Sequence, residues 1–294
     1  MAKLESWQLQ QRQAQPLEIK EQITATRIKA YYERLNGEVY VSFSGGKDST
    51  ALLHQVRRIY PSVPAVFVDT GLEYPEIREF VKTVDNVVWL KPKMPFTQVI
   101  ADYGYPVISK EVAQKIKEIQ TTKSEVLRNT RLNGDSKGNG KISEKWKFLV
   151  DAPFKISDRC CHIMKKAPVK QYEKETGRGA IVGTMAADSS LRRQSYLRYG
   201  CNSFEDRPMS TPMAIWLEED VWAYIKKYGL PYSRIYDMGY TRTGCMFCMF
   251  GVHLESDSRF ERMKSTHPQI YNYCMDRLGL REVLRYCGFE PLVK

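Results

Sequence analysis

A short β-rich run, Val39-Tyr40-Val41-Ser42-Phe43, stops at Ser44-Gly45-Gly46-Lys47-Asp48-Ser49 and passes directly into a helical stretch reaching Tyr60. Few folds accommodate such a junction. Two glycines let the backbone curl until successive N–H groups converge on one point. The helix that follows adds the partial positive charge of its N-terminus. Lys47 supplies a full charge, Ser44 and Ser49 supply hydroxyl donors, and Asp48 can help place Mg²⁺ or cap the helix. The junction reads as an anion cradle at the end of a strand. It is not a Walker A loop, which needs another glycine upstream in the strand; residues 38–44 contain none.

The same alternation continues along the chain. Val63–Val68 reads as a second strand ending at Asp69-Thr70-Gly71, and Pro75 suits the first turn of the next helix. Asn86–Leu90 reads as a third strand, Gly179–Gly183 as a fourth and Met213–Trp216 as a fifth. A helix over Glu218–Tyr228 is stopped by Gly229 and Pro231. Strands alternating with helices predict an α/β fold with a doubly wound, mostly parallel five-stranded sheet. Ligands of such sheets bind at the carboxyl ends of the strands. Ser42, Ser44–Ser49, Asp69, Thr70 and Gly183 all fall at that edge.

Three regions follow. Residues 1–37 form an N-terminal helical segment, with an amphipathic helix over 17–36. Residues 38–239 form the nucleotide-binding α/β domain. Residues 240–294 form a small C-terminal helical region that carries cysteines. Within the second region, 117–147 is a basic insertion with eight Lys and Arg against four Asp and Glu. Its segment 133–140 lacks the composition for regular structure, so an exposed flap is expected.

The formal charge of +11 and pI near 9.2 favour polyanionic partners, nucleic acid or nucleotides among them. No run of about 18 apolar residues exists, so no membrane span is expected. The first residues lack a signal-peptide core, which predicts a cytoplasmic protein with reduced cysteines. Homo-oligomerisation is left open.

Seven cysteines then need an explanation. Cys160-Cys161 and Gly244-Cys245-Met246-Phe247-Cys248 together supply four thiolates, which suit either zinc or an iron–sulfur cluster. Adjacent cysteines are awkward around a single tetrahedral ion because neighbouring side chains diverge. They suit the larger 4Fe–4S cube. Cys201, Cys274 and Cys287 are expected as small buried hydrophobes.

The Ser-x-Ser-Gly-Gly-Lys-Asp-Ser run over residues 42–49 resembles the PP-loop of the adenine-nucleotide α-hydrolase superfamily. Asp158-Arg159-Cys160-Cys161, Lys165-Lys166 and the later Gly-Cys-x-x-Cys resemble the cluster-binding signature of adenylylsulfate reductases. Residues 38 to about 250 are similar to the phosphoadenylylsulfate (PAPS) reductase family. The resemblance implies an adenine-nucleotide α-hydrolase-like sheet and cleavage of ATP between its α and β phosphates. Residues 44–49 would hold the leaving pyrophosphate, with Asp69 across the ligand and able to bind metal. Lys47, Asp48 and Asp69 would be the catalytic set. Cys160, Cys161, Cys245 and Cys248 would hold a 4Fe–4S cluster. The segment Gly183–Arg193 resembles a family pattern, Gly-x-Arg-x-x-Glu-Ser-x-x-Arg, that binds the nucleotide or its anionic adduct. Asp188 replaces the Glu, Arg192 matches the last Arg, and Met185 stands where an arginine is expected. Arg193 and Arg198 offer replacement oxyanion contacts.

Two chemistries suit this frame. A sulfonucleotide reductase needs a nucleophilic cysteine, typically in a C-terminal Glu-Cys-Gly-x-x-His motif. Here Cys287-Gly288 lacks both the Glu and the His. An intact PP-loop argues instead for ATP. The favoured expectation is adenylation of a nucleic-acid or small-molecule acceptor, followed by sulfur transfer from a donor or reductant protein. Sulfonucleotide reduction with sulfite release is the alternative. A non-catalytic nucleotide- or nucleic-acid-binding protein is the third reading.

Overall fold

The structure, a computed structural model, describes residues 4–204, 207–255 and 258–289. The chain divides into two compact units. One comprises the chain up to Asp69, Tyr74–Leu90 and Val169–Thr243; the other comprises Thr70–Glu73, Lys91–Pro168 and everything from Gly244 onward.

The first unit is built on a six-stranded sheet. Its order is Val87–Leu90, Ala65–Val68, Val39–Ser42, Gly179–Val182, Met209–Ser210 and Asn202–Ser203. All neighbours are parallel except the last pair. Central parallel strands are covered on both faces and read as continuous apolar runs. Val39, Tyr40 and Val41 accordingly are almost wholly buried. They pair with Gly179, Ala180 and Ile181 in register. The helix Lys47–Ile59 follows the first strand and buries Ala51, Leu52, Leu53 and Val56.

One strand is misplaced by the sequence reading. Met213–Trp216 is a buried turn, closed by Ala214 N–H to the Thr211 carbonyl (3.0 Å) and Trp216 N–H to the Met213 carbonyl (2.9 Å). A four-residue apolar run cannot by its pattern distinguish a strand from a buried turn. The sheet is extended instead by the short strands Met209–Ser210 and Asn202–Ser203, so it has six strands rather than five. The turn is held by Trp216 Nε1–H donating to Thr24 Oγ1 at 2.9 Å. Nearby, the buried Lys20 ammonium meets Asp220 at 2.5 Å, linking the helices Leu17–Arg34 and Glu218–Tyr228.

The second unit is mainly helical. Within it, Val107–Ile108 pairs with Met249–Phe250 in parallel. Part of the basic stretch is helical. Ser109 and Ser124 cap the helices Lys110–Thr121 and Glu125–Asn133, their hydroxyls accepting from the N–H groups of Val112 and Leu127. Ala113, Ile116 and Ile119 form the buried stripe of the first helix. Arg131 Nε donates to Glu118 at 2.5 Å across the pair. Residues 134–140 do lack regular structure. Among the described residues, no helix is long and apolar enough to cross a membrane.

Candidate functional site

The glycine loop lies where the first strand ends and its helix begins. Gly45 has φ +72°, and a Cβ there would stand 2.7 Å from Val81 Cγ2. Gly46 is the helix N-cap residue, and its added Cβ would stand 2.8 Å from Thr243 Oγ1. The left-handed backbone favours glycine at 45, and any side chain at 46 would have to push the Thr243 hydroxyl aside. The serines brace the turn: Ser49 Oγ donates to the Gly46 carbonyl (2.9 Å), and Ser44 N–H donates to Ser49 Oγ (3.2 Å). Ser42 precedes them as the last residue of the strand.

Lys47 is 4% exposed. Its ammonium donates to the Thr241 carbonyl at 3.2 Å and lies 3.2 Å from Glu218 and 3.6 Å from Asp48. Burial works against its charge, but Asp48, Tyr236 and Glu218 outweigh burial and hold the ammonium above the usual lysine range. Asp48 is the counterpart. Burial pushes its carboxyl up, Lys47 pulls it down, and Asp188 and Glu218 push it up again. Its Oδ1 is buried without a hydrogen-bond partner. A buried acceptor in that state is costly and is the kind of atom a bound cation would satisfy. Lys47 N–H, one of the loop donors, is taken by Tyr236 Oη at 2.8 Å. An anion seated on that N–H must displace the tyrosine hydroxyl.

Glu218, Tyr236, Thr241 and Thr243 are absent from the sequence-derived site. They reach the loop from the far end of the first unit, and no local pattern marks them.

Gly183 does meet the loop: a Cβ there would stand 3.0 Å from the Asp48 carbonyl oxygen. Met185 is buried in the core, and its N–H donates to Asp188 Oδ2 at 3.0 Å. That explains why an apolar residue replaces the expected arginine. Arg192 and Arg193 are both exposed, and Arg192 is ion-paired with Asp188. Asp69 is buried at the end of its strand and accepts from Arg78 Nη2 at 2.8 Å. Thr70 opens a tight turn whose hydroxyl and N–H both donate to Glu73 at 2.8–3.0 Å.

In the second unit, Cys160, Cys161, Cys245 and Cys248 line one cavity of about 20 Å³ with Phe96, Phe247 and Lys165. A cavity that small holds about one water. Cys160 and Cys161 sit on one helical turn, Arg159–Cys161, which runs into a π-helical turn, His162–Lys166. The other pair closes a tight turn, Cys248 N–H donating to the Cys245 carbonyl at 3.0 Å. Met246 N–H anchors that turn to the Leu72 carbonyl at 2.9 Å, and Arg259 Nη1 donates to the Cys248 carbonyl at 3.2 Å.

The electrostatics of the cavity are uneven. A hydrogen bond from the Cys160 thiol draws Cys161 down, assisted by Lys110, Lys165 and Lys166 against burial. The same bond, with burial, pushes Cys160 up. Burial pushes Cys245 up to about 11 although Lys165 opposes it. Burial also disfavours the Lys165 ammonium, but Cys245 and Glu73 outweigh it and raise Lys165. Among the described residues, no group of three or more His, Cys, Asp or Glu side chains is placed to hold a metal ion. By the chemistry of the donor set, four thiols beside the half-exposed Lys165 ammonium suit thiophilic iron or zinc. Cys201, Cys274 and Cys287 are buried, as expected, and burial pushes the last two up to about 12.

These two constellations can be set beside known proteins. A protein of Methanocaldococcus jannaschii described only as uncharacterized is 26% identical over 90% of this chain; the chain spans about half, 52%, of that relative. An adenosine 5'-phosphosulfate reductase of Staphylococcus epidermidis is also 26% identical, over 81% of this chain and 82% of its own length. Among solved structures, a phosphoadenylyl-sulfate (PAPS) reductase of Candida auris gives a TM-score of 0.42 at 18% identity, covering 71% of this chain and 81% of that one. The phosphoadenosine phosphosulfate reductase domain matches residues 38–99 and 90–250, which span the glycine loop, the arginine segment and both cysteine pairs. A match over most of the chain settles its kinship: the protein belongs to the phosphoadenosine phosphosulfate reductase family.

Proposed function

We propose that the protein binds ATP on residues 44–49, cleaves it between the α and β phosphates, and adenylates an acceptor for sulfur transfer. One observation carries this reading. Lys47 and Asp48 sit side by side at a helix N-terminus, and the buried Asp48 Oδ1 accepts no hydrogen bond, facing only the Lys47 ammonium at 3.6 Å. A triphosphate with Mg²⁺ would complete both groups at once: phosphate oxygens on Lys47 and the loop N–H groups, the cation on Asp48.

In the first step the acceptor oxygen attacks the α-phosphorus. The bond to the bridging oxygen breaks, and pyrophosphate leaves. Lys47 neutralises charge on the departing group, and the loop N–H groups hold it in line. Tyr236 must swing off Lys47 N–H as the phosphates enter. Arg192 and Arg193 are assigned to the α-phosphate or the adenylate, Arg192 after release from Asp188. In the second step a sulfur nucleophile displaces AMP.

Cys160, Cys161, Cys245 and Cys248 would hold a 4Fe–4S cluster. When bound, such a cluster supplies a thiolate-ligated iron centre able to carry sulfur or an electron. Lys165 offsets the negative charge of the thiolates.

A second reading, reduction of a sulfonucleotide with release of sulfite, is favoured by the relatives named adenosine 5'-phosphosulfate reductase. It requires an accessible thiol nucleophile. Cys287, the cysteine nearest the expected C-terminal position, is 3% exposed. Anaerobic incubation separates the two. Pyrophosphate release from ATP, reduced about 100-fold or more in Lys47→Ala, supports adenylation. Sulfite release from adenylyl sulfate without ATP supports reduction.

A further inference from the structure

The second unit contains a cavity of about 630 Å³ distinct from the thiol cavity. That volume suits a nucleotide-sized group. Its wall is part cationic and part aromatic: Lys117, Lys155 and Arg159 share it with Tyr103 and Phe154. Lys117 is ion-paired with Asp158 at 3.2 Å, and Lys155 donates to the Asp102 carbonyl at 3.2 Å, with no other acceptor among the described residues. Arg159 is exposed and makes no ion pair among the described residues. Tyr103 is 37% exposed. Phe154 is held edge-on by Tyr105 and Tyr286, with centroids 5.7 and 5.4 Å away. Rigid rings beside incompletely neutralised cations form the surface on which single-stranded nucleic acid stacks its bases and seats its phosphates. A double helix offers no base faces to such a wall.

We infer that this cavity takes a nucleotide unit of a single-stranded nucleic acid, with a base against Tyr103 or Phe154 and the flanking phosphates on Lys155 and Arg159. Arg159 directly precedes Cys160, so the strand would lie one peptide bond from the thiol pair. The use of that strand as the sulfur acceptor rests on the function proposed above; the binding does not.

The test is fluorescence anisotropy with fluorescein-labelled single-stranded DNA and RNA 12-mers on the anaerobically purified full chain. Tyr103→Leu lies far from the thiols in sequence; Lys155→Ala lies five residues before Cys160, so iron content is measured for it too. Each is expected to weaken binding about 10-fold, and Lys155→Ala also to lower the salt dependence by about one phosphate contact. Arg159→Ala should do the same, with iron content measured alongside to detect damage to the neighbouring thiols. Affinity unchanged in Tyr103→Leu and Lys155→Ala overturns the proposal. So does equal affinity for a duplex of the same length, or binding of free AMP at this cavity without binding of the 12-mers. Lys47→Ala keeps the two readings apart. Strand affinity that responds to the cavity variants but not to Lys47→Ala, in a parent protein that releases no pyrophosphate from ATP, sustains this site while removing the adenylation reading.

Discussion

The glycine loop and the thiol cavity solve opposite problems. The loop is polar and contiguous: six neighbouring residues make it, and its charges are balanced by Glu218, Asp48 and the Tyr236 hydroxyl. The thiol cavity is apolar and split. Its two pairs come from distant parts of the chain and are brought together by a turn anchored to Leu72 and by the Val107–Ile108 and Met249–Phe250 ladder. An anion cradle needs backbone donors and can be written in a short motif. A thiol cage needs burial, which only tertiary structure provides. The two sites should therefore fail differently.

The largest effect is expected at the cage. Cys160→Ser or Cys245→Ser should reduce iron from about four atoms per chain to well below one after anaerobic purification. ATP affinity of the loop should stay within about threefold. Iron at the parental level in both variants would remove the cage from the account.

Next comes the loop itself. Gly45→Ala forces a side chain into left-handed backbone and against Val81, at a cost of about 2–4 kcal/mol. Denaturant melts of the variant should show that loss, and nucleotide binding should fall with it. A melt identical to the parent would mean that the turn does not need glycine.

The smallest effect concerns pH. His54 lies on the helix that carries the loop, with Nδ1 2.8 Å from the Tyr224 hydroxyl. Burial and Arg58 depress its pKa below 6.5. The folded state thus favours neutral imidazole. Its contribution is present above pH 6.5 and is lost as pH falls through the folded value. Stability of the parent should decline modestly below pH 6.5, and His54→Gln should flatten that part of the profile. Parallel profiles would contradict the assignment.

This contrast also explains what could be read from the sequence. The glycine turn between strand and helix and the parallel sheet are carried by short runs and were legible; the cysteines were legible as two pairs, whereas their shared cavity comes from the fold. The fifth strand was not legible. Met213–Trp216 is apolar because it is a buried turn, whereas the true strand, Met209–Ser210, is two residues long and half polar. The helices at Lys110–Thr121 and Glu125–Asn133 were obscured by the basic charge of their outer faces. Glu218, Tyr236 and Thr243 lie remote in sequence from the loop they touch, so nothing in a single chain marks them. Met185 is a departure from the family pattern that becomes intelligible only through its burial.

The central claim is tested most directly by the products formed from ATP. Incubated anaerobically with Mg²⁺, a single-stranded acceptor and sulfide as the sulfur nucleophile, the protein is expected to yield AMP and pyrophosphate in equal amounts, with neither formed by Lys47→Ala. ADP and inorganic phosphate as the products, or intact ATP beside sulfite released from adenylyl sulfate, would contradict it.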